Sequence, residues 1–154
     1  MNEHFRHIED LATKTLKSIE FNGLPIPVEK IAQKIGLKIV EFDFPDSFSG
    51  VLKKDKRVIG VNKRHASVRR RFTIAHEIGH FLLGHEDDSI DGYSDRPMPL
   101  EREANTFASH LLIPTHIVTE SVKKVGLDLK FLAKQFWVSE QVITIRLLEM
   151  NLIR

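Results

Sequence analysis

The run His76-Glu77-Ile78-Gly79-His80 sets two imidazoles four residues apart with a carboxylate beside the first. On a helix advancing about 100° per residue, His76 and His80 stand about 40° apart and face the same way, so both can hold one ion. This H-E-x-x-H pattern also carries a glutamate placed to act as general base on water at the metal. Two isolated histidines would more simply be satisfied core side chains, but a carboxylate between them favours metal chemistry. The chain has no cysteine. That excludes disulfides, iron–sulfur clusters, thiolate zinc sites and cysteine nucleophiles together, and any metal must be held by nitrogen and oxygen.

A catalytic zinc site needs a third protein ligand and one open position. His85, His110, His116 and a downstream carboxylate are the candidates. Against the longer pattern H-E-x-x-H-x-x-G-x-x-H, Gly84 and His85 each miss their place by one residue. In a continuing helix His85 would point about 180° from His76, so it is set aside as a ligand. Glu101 shares a helix face with Ala104, Asn105, Ala108 and Leu112, whereas Glu103 projects with His110 from roughly the other side. Alanines 104 and 108 let that helix approach the Gly79 face closely enough for a short carboxylate arm to reach a shared ion. Glu101 is therefore the expected third ligand; the bland alternative is a surface carboxylate in a helix's first turn.

The elements that must position these groups follow from apolar periodicity. Residues 3–18 read as an amphipathic helix, and Pro25 and Pro27 as a rigid connector to a second helix from Val28 that stops at Gly36. Three short strands, 37–42, 50–52 and 57–61, are expected to form an antiparallel meander. The metal-binding helix should run from Ser67, its N-cap, to Leu83, with Gly84 as its stop. Apolar residues on both its sides place it in the middle of the domain. An acidic, irregular stretch, 86–99, suits a surface loop that gates access to the site. A helix over 100–113 is cut by Pro114, and three helical segments follow, separated at 126–128 and 137–139.

A chain of 154 residues holds one domain with one core. Its formal charge of +2 lacks the footprint of a dedicated nucleic-acid binder. No segment is apolar enough to span a membrane, and the N-terminus lacks a basic segment followed by an apolar run, which fits a cytoplasmic protein. Arg69-Arg70-Arg71 opens the metal-binding helix; the bland reading pairs Arg71 with a buried carboxylate and leaves the others solvated, against a substrate-docking patch.

Two segments, residues 71–80 (Arg71-Phe72-Thr73-Ile74-Ala75-His76-Glu77-Ile78-Gly79-His80) and Glu101-x-x-Ala104-Asn105-x-Phe107-Ala108-x-x-Leu111-Leu112-Ile113-Pro114, resemble the ImmA/IrrE family of metallo-endopeptidases. Pro27-Val28-Glu29-Lys30-Ile31-Ala32, Ser49-Gly50, Ile59-Gly60-Val61-Asn62 and Leu132-Ala133-x-x-Phe136-x-Val138-Ser139 extend the similarity over nearly the whole chain. The resemblance implies an α+β, zincin-like minimal metallopeptidase, mostly helical with the small antiparallel sheet. His76, His80 and Glu101 would hold zinc, and Glu77 would be the catalytic base; manganese or another divalent ion also suits such ligands. It further implies a protein substrate, a helix-turn-helix (XRE-type) repressor whose cleavage derepresses mobile-element or stress-response genes. The expected division is a peptidase domain over 1–125 and a helix-turn-helix-like appendage over 126–154, packed on it as one unit.

In that appendage Ser139 is the expected cap of the second helix, while Trp137 stands where glycine is usual, a bulky residue poorly suited to positive φ. Residues 140–146 offer few groups for reading DNA, so a structural or substrate-docking role is preferred to DNA contact. His110, His116 and Tyr93 are candidates to stabilise an oxyanion. Two rival functions stand beside the enzyme: a zinc-containing regulator that binds DNA, and a toxin–antitoxin interaction module without proteolysis. Only the enzyme has a use for Glu77 between two ligands.

Overall fold

The computed structural model describes residues 3–85, 90–91 and 98–154. Among the described residues, seven helices and four strands run in the order α1 (Glu3–Lys17), α2 (Val28–Lys34), β1 (Lys38–Phe42), β2 (Gly50–Lys53), β3 (Val58–Asn62), α3 (Ser67–Leu82), β4 (Ile90–Asp91), α4 (Met98–Leu112), α5 (Thr115–Val125), α6 (Leu129–Phe136) and α7 (Glu140–Glu149). Helix α3 lies at the centre, with β2 and β3 on one flank and α4 on the other; α1 packs on the far side of α4. From Thr73 to His80 every residue of α3 is buried, as a helix apolar on both sides requires. Helix α1 turns Ile8, Ala12 and Leu16 inward at four-residue spacing. Leu132 and Phe136 of α6 and Leu147 of α7 belong to the same buried cluster as Ile74 and Ile78 of α3, so one core serves the described chain.

The sheet is mixed, in the order β1-β3-β2-β4. An antiparallel meander is therefore incorrect: β1 pairs parallel with β3, Ile39 opposite Ile59, while β2 pairs antiparallel with β3 and with the two-residue β4. The reason lies in residues 43–49, which carry the chain past the β3 slot before the β2–β3 hairpin returns to fill it. Asn62, fully buried at the end of β3, fixes that excursion by donating from Nδ2 to the carbonyls of Pro45 (3.0 Å) and Phe48 (2.8 Å). Its Oδ1 accepts from the Arg64 amide at 2.9 Å, and a His65 ring nitrogen lies 2.8 Å from the Asp46 carbonyl. His65 thus serves the loop. Gly50 marks where the sheet presses on α3: a Cβ there would stand 2.6 Å from Thr73 Cγ2 and 2.7 Å from the Gly60 carbonyl oxygen.

Helix α4 begins at Met98, two residues earlier than its periodicity suggests. The proposed gating stretch lies outside the described residues except for β4 and the first residues of α4, and Tyr93 lies outside them too. Ser67 does not cap α3. The capping position is Ala66, and the Ser67 hydroxyl instead accepts from the Trp137 indole at 2.8 Å. Trp137 takes the left-handed conformation after all (φ 53, ψ 55), at a cost of about 1–3 kcal/mol for a non-glycine residue. Arg71 shares in holding it there: its Nε donates to the Trp137 carbonyl at 3.2 Å, so the partner of this buried guanidinium is a backbone oxygen rather than a carboxylate. Burial lowers the Arg71 pKa, and the charge of Glu29 offsets part of that effect. Arg70 pairs with Glu41 at 2.8 Å, and Arg69 reaches Ser49 Oγ at 3.3 Å. Ser139 does cap α7, accepting from the Val142 amide at 3.1 Å.

Candidate metal centre

Helix geometry alone brings His76 and His80 of α3 to one face, with ring centroids 4.5 Å apart. Glu101 arrives from the first turn of α4. Its Oε2 lies 3.2 Å from His76 Nε2, its Oε1 lies 2.9 Å from His80 Nε2, and the two Nε2 atoms are 3.0 Å apart. Close approach of the helices makes this possible. A Cβ on Gly79 would meet Phe107 Cδ1 at 3.0 Å and Phe107 Cβ at 3.2 Å, so α4 rests directly on the glycine. Ala104 and Ala108 are fully buried on α4, beside Phe107. Glu77, between the two histidines, is also fully buried.

The hydrogen bonds behind the rings fix which nitrogen is left to face inward. Asn105 Oδ1, an obligate acceptor, lies 2.8 Å from His76 Nδ1, which suits a proton on that nitrogen and leaves Nε2 as the atom to ligate an ion. His80 Nδ1 lies 2.8 Å from His85 Nδ1, and His85 Nε2 lies 2.7 Å from Glu103 Oε1. With lone pairs on both Nε2 atoms, the two rings and the carboxylate would repel one another unless a metal ion or a proton lies among them. Burial by itself would raise the Glu101 pKa, but with protons rather than an ion on the facing Nε2 atoms, hydrogen bonds from His76 and His80 outweigh it and hold the carboxyl well below the usual range. Three ligands on a tetrahedral ion stand roughly 3.3 Å apart. The two Nε2 atoms, 3.0 Å apart, and the carboxylate oxygen nearest to each, at 3.2 and 2.9 Å, are spaced close to that, so the residues fit a divalent cation, and His76, His80 and Glu101 form a group able to hold one.

His85 does not join that group, but the expectation that it points away from His76 and His80 is incorrect: its ring is not turned away from the site. Gly84 adopts φ +73 and ends α3; the amides of Gly84 and His85 bond back to the carbonyls of Phe81 and His80. The chain folds over its own last turn and lays the His85 ring against His80, with ring centroids 5.0 Å apart. The helical wheel fails beyond Gly84, and that glycine is the signal that could have revealed His85 and Glu103. His110 is buried, with Nδ1 2.9 Å from the Thr106 carbonyl and Nε2 3.9 Å from Glu9 of α1, on the side of α4 away from α3. His116 is exposed on α5.

The profile of the peptidase family M78, described as the IrrE N-terminal-like domain, matches residues 32–148. The radiation response metalloprotease IrrE of Deinococcus radiodurans is 30% identical over 98 residues, covering 60% of this chain and 29% of that protein. The uncharacterized immunity region protein 2 of Bacillus phage phi105 is 30% identical over 97 residues, covering 59% of this chain and 61% of the phage protein. A solved structure titled Mycobacterium tuberculosis transcriptional regulator superposes with a TM-score of 0.67 at 19% identity, covering 93% of this chain and 45% of that one, and shows a shared fold. The chain thus spans between about a third and three-fifths of the relatives it matches. With the profile running from α2 through most of α7, the chain belongs to the ImmA/IrrE peptidase family, M78.

Proposed function

We propose that the protein is a metal-dependent endopeptidase of zincin-like architecture that cleaves a helix-turn-helix repressor. The observation carrying this reading is the convergence of His76 Nε2, His80 Nε2 and a Glu101 carboxylate oxygen, with Glu77 on the helix turn between the two imidazoles. His76, His80 and Glu101 would hold the ion, zinc being the best match to two imidazoles and a carboxylate, with manganese or another divalent ion as alternatives. Such an ion supplies Lewis acidity, polarising the scissile carbonyl and acidifying water. The Glu77 carboxylate accepts the attacking water's proton and returns it to the leaving nitrogen. Residues 1–125 form the peptidase part and residues 126–154 the appendage, which serves packing or substrate docking.

The repressor as substrate is supported by context: one relative is a phage immunity region protein and the structural neighbour is titled a transcriptional regulator. Direct DNA binding through α7 is disfavoured on the described surface. Its single basic residue, Arg146, is 1% exposed and bonded inward, so α7 offers phosphates no cation. A toxin–antitoxin module without proteolysis leaves Glu77 without a task.

The test is incubation with Zn²⁺ or Mn²⁺ and a helix-turn-helix repressor encoded beside this chain, with Glu77→Gln as control. Metal-dependent cleavage by the natural protein, abolished in the variant while metal binding persists, is the expected result. Cleavage retained by Glu77→Gln would remove Glu77 from its role; absence of metal-dependent cleavage with a bound repressor would favour the interaction module.

A further inference from the structure

We infer that Glu103 and His85 form a charged relay that positions His80 for metal binding by fixing its tautomer. The inference rests on the metal reading above, and assigns a task to two residues outside the ligand set. His80 is fully buried, so its Nδ1 cannot turn to water and must find a partner within the protein. The partner is His85 Nδ1 at 2.8 Å, and two nitrogens can share one proton in either direction. Glu103 decides the direction. Its carboxylate accepts only, and it lies 2.7 Å from His85 Nε2, so the His85 proton sits on Nε2. His85 Nδ1 is then an acceptor and His80 Nδ1 its donor, so Nε2, the nitrogen facing Glu101 and the His76 ring, is the one that ligates when an ion is bound.

The two ligand histidines are therefore backed differently. His76 leans on a neutral amide, Asn105, whereas His80 leans through a second imidazole on a carboxylate. The relay holds the His80 ring in place; outer partners of this kind are worth about 10–100-fold in metal affinity. Position on the fold makes the device possible. Glu103 lies two residues beyond Glu101 on α4, and the turn at Gly84 places His85 between it and His80 of α3. Glu103 and His85 are thus positioning residues: they touch neither substrate nor metal.

The test has two independent readings. In the metal-free natural protein, ¹⁵N NMR of the imidazoles should find the His85 proton on Nε2, facing Glu103; a His85 proton on Nδ1, facing His80, would overturn the relay whether or not any metal binds. Zn²⁺ affinity, measured by competition with a chromophoric chelator, should fall about 10–100-fold in Glu103→Gln and in His85→Phe. Thermal unfolding of the metal-free variants separates this from packing. Unchanged affinity per folded molecule, with only a lowered Tm, would show the pair to be structural and sink the inference. A natural protein that binds no Zn²⁺ while showing the expected tautomers would instead count against the metal reading and leave the relay standing.

Discussion

A neutral imidazole has one proton and two nitrogens, and a metal ligand must keep the correct nitrogen bare. On the proposed metal reading that condition is met by Asn105 behind His76 and by His85 behind His80. Glu101 differs in kind, since it brings the charge that makes a site of two neutral rings attractive to a dication. A graded series follows. Glu101→Gln keeps the side chain's shape but removes the charge, and should lower Zn²⁺ affinity by more than about 100-fold, whereas Asn105→Ala, which removes only an outer partner, should cost about 10-fold. Chelator competition reads both, and Glu101→Gln binding within tenfold of the natural protein would exclude Glu101 as a ligand. The convergence of His76, His80 and Glu101 is legible in the sequence because a regular helix converts spacing into direction. His85 and Glu103 are not, because their meeting depends on where α3 stops and how Gly84 turns the chain, and a helical wheel carries no information past a left-handed residue.

Between elements, the decisive contact is α3 on α4 at Gly79 and Phe107. Any side chain at 79 must displace an aromatic ring that is itself fully buried, and the ring is attached to the helix that carries Glu101. Gly79→Ala is therefore expected to destabilise the protein by about 1–3 kcal/mol, the usual range for overpacking, despite alanine's better helix propensity. It should also weaken metal binding by moving Glu101 relative to the histidines. Denaturant unfolding and metal titration of one variant check both, and a gain in stability would mean that Phe107 yields freely. The small residues on both helices announce this approach in the sequence. The order of the strands is not announced. Apolar patterning and turn residues locate β1, β2 and β3, but a parallel β1–β3 pair depends on Asn62 bonding two carbonyls of the preceding loop, a contact no local pattern contains.

Across the whole molecule, the C-terminal helices are tied to the rest by buried cations rather than by apolar packing alone. Arg71 of α3 bonds the Trp137 carbonyl between α6 and α7. Arg146 of α7 donates through Nε to the Ile113 carbonyl at 3.0 Å and through Nη2 to Thr115 Oγ1 at 2.8 Å, where α4 gives way to α5. The helix-turn-helix-like pattern is readable in sequence, yet its basic residue faces inward, because burial is decided by the neighbouring elements. Arg146 also acts on His110. Burial first, and then the nearby guanidinium, lower the His110 pKa, while the Thr106 carbonyl and Glu9 only partly oppose them. His110 is thus neutral in the fold and gains a proton more readily when unfolded. The sign follows from linkage: a depressed folded pKa gives stability that is complete above the unfolded value of about 6.5 and is lost as pH falls toward the folded value. Metal-free protein should lose stability on acidification below about pH 6.5, with His110 contributing at most about 1.4 kcal/mol per pH unit. His110→Gln, which does not titrate, should flatten that slope in parallel urea titrations from pH 8 to pH 5. Parallel slopes for the two proteins would show that His110 is protonated equally in both states, and that Arg146 does not govern this junction.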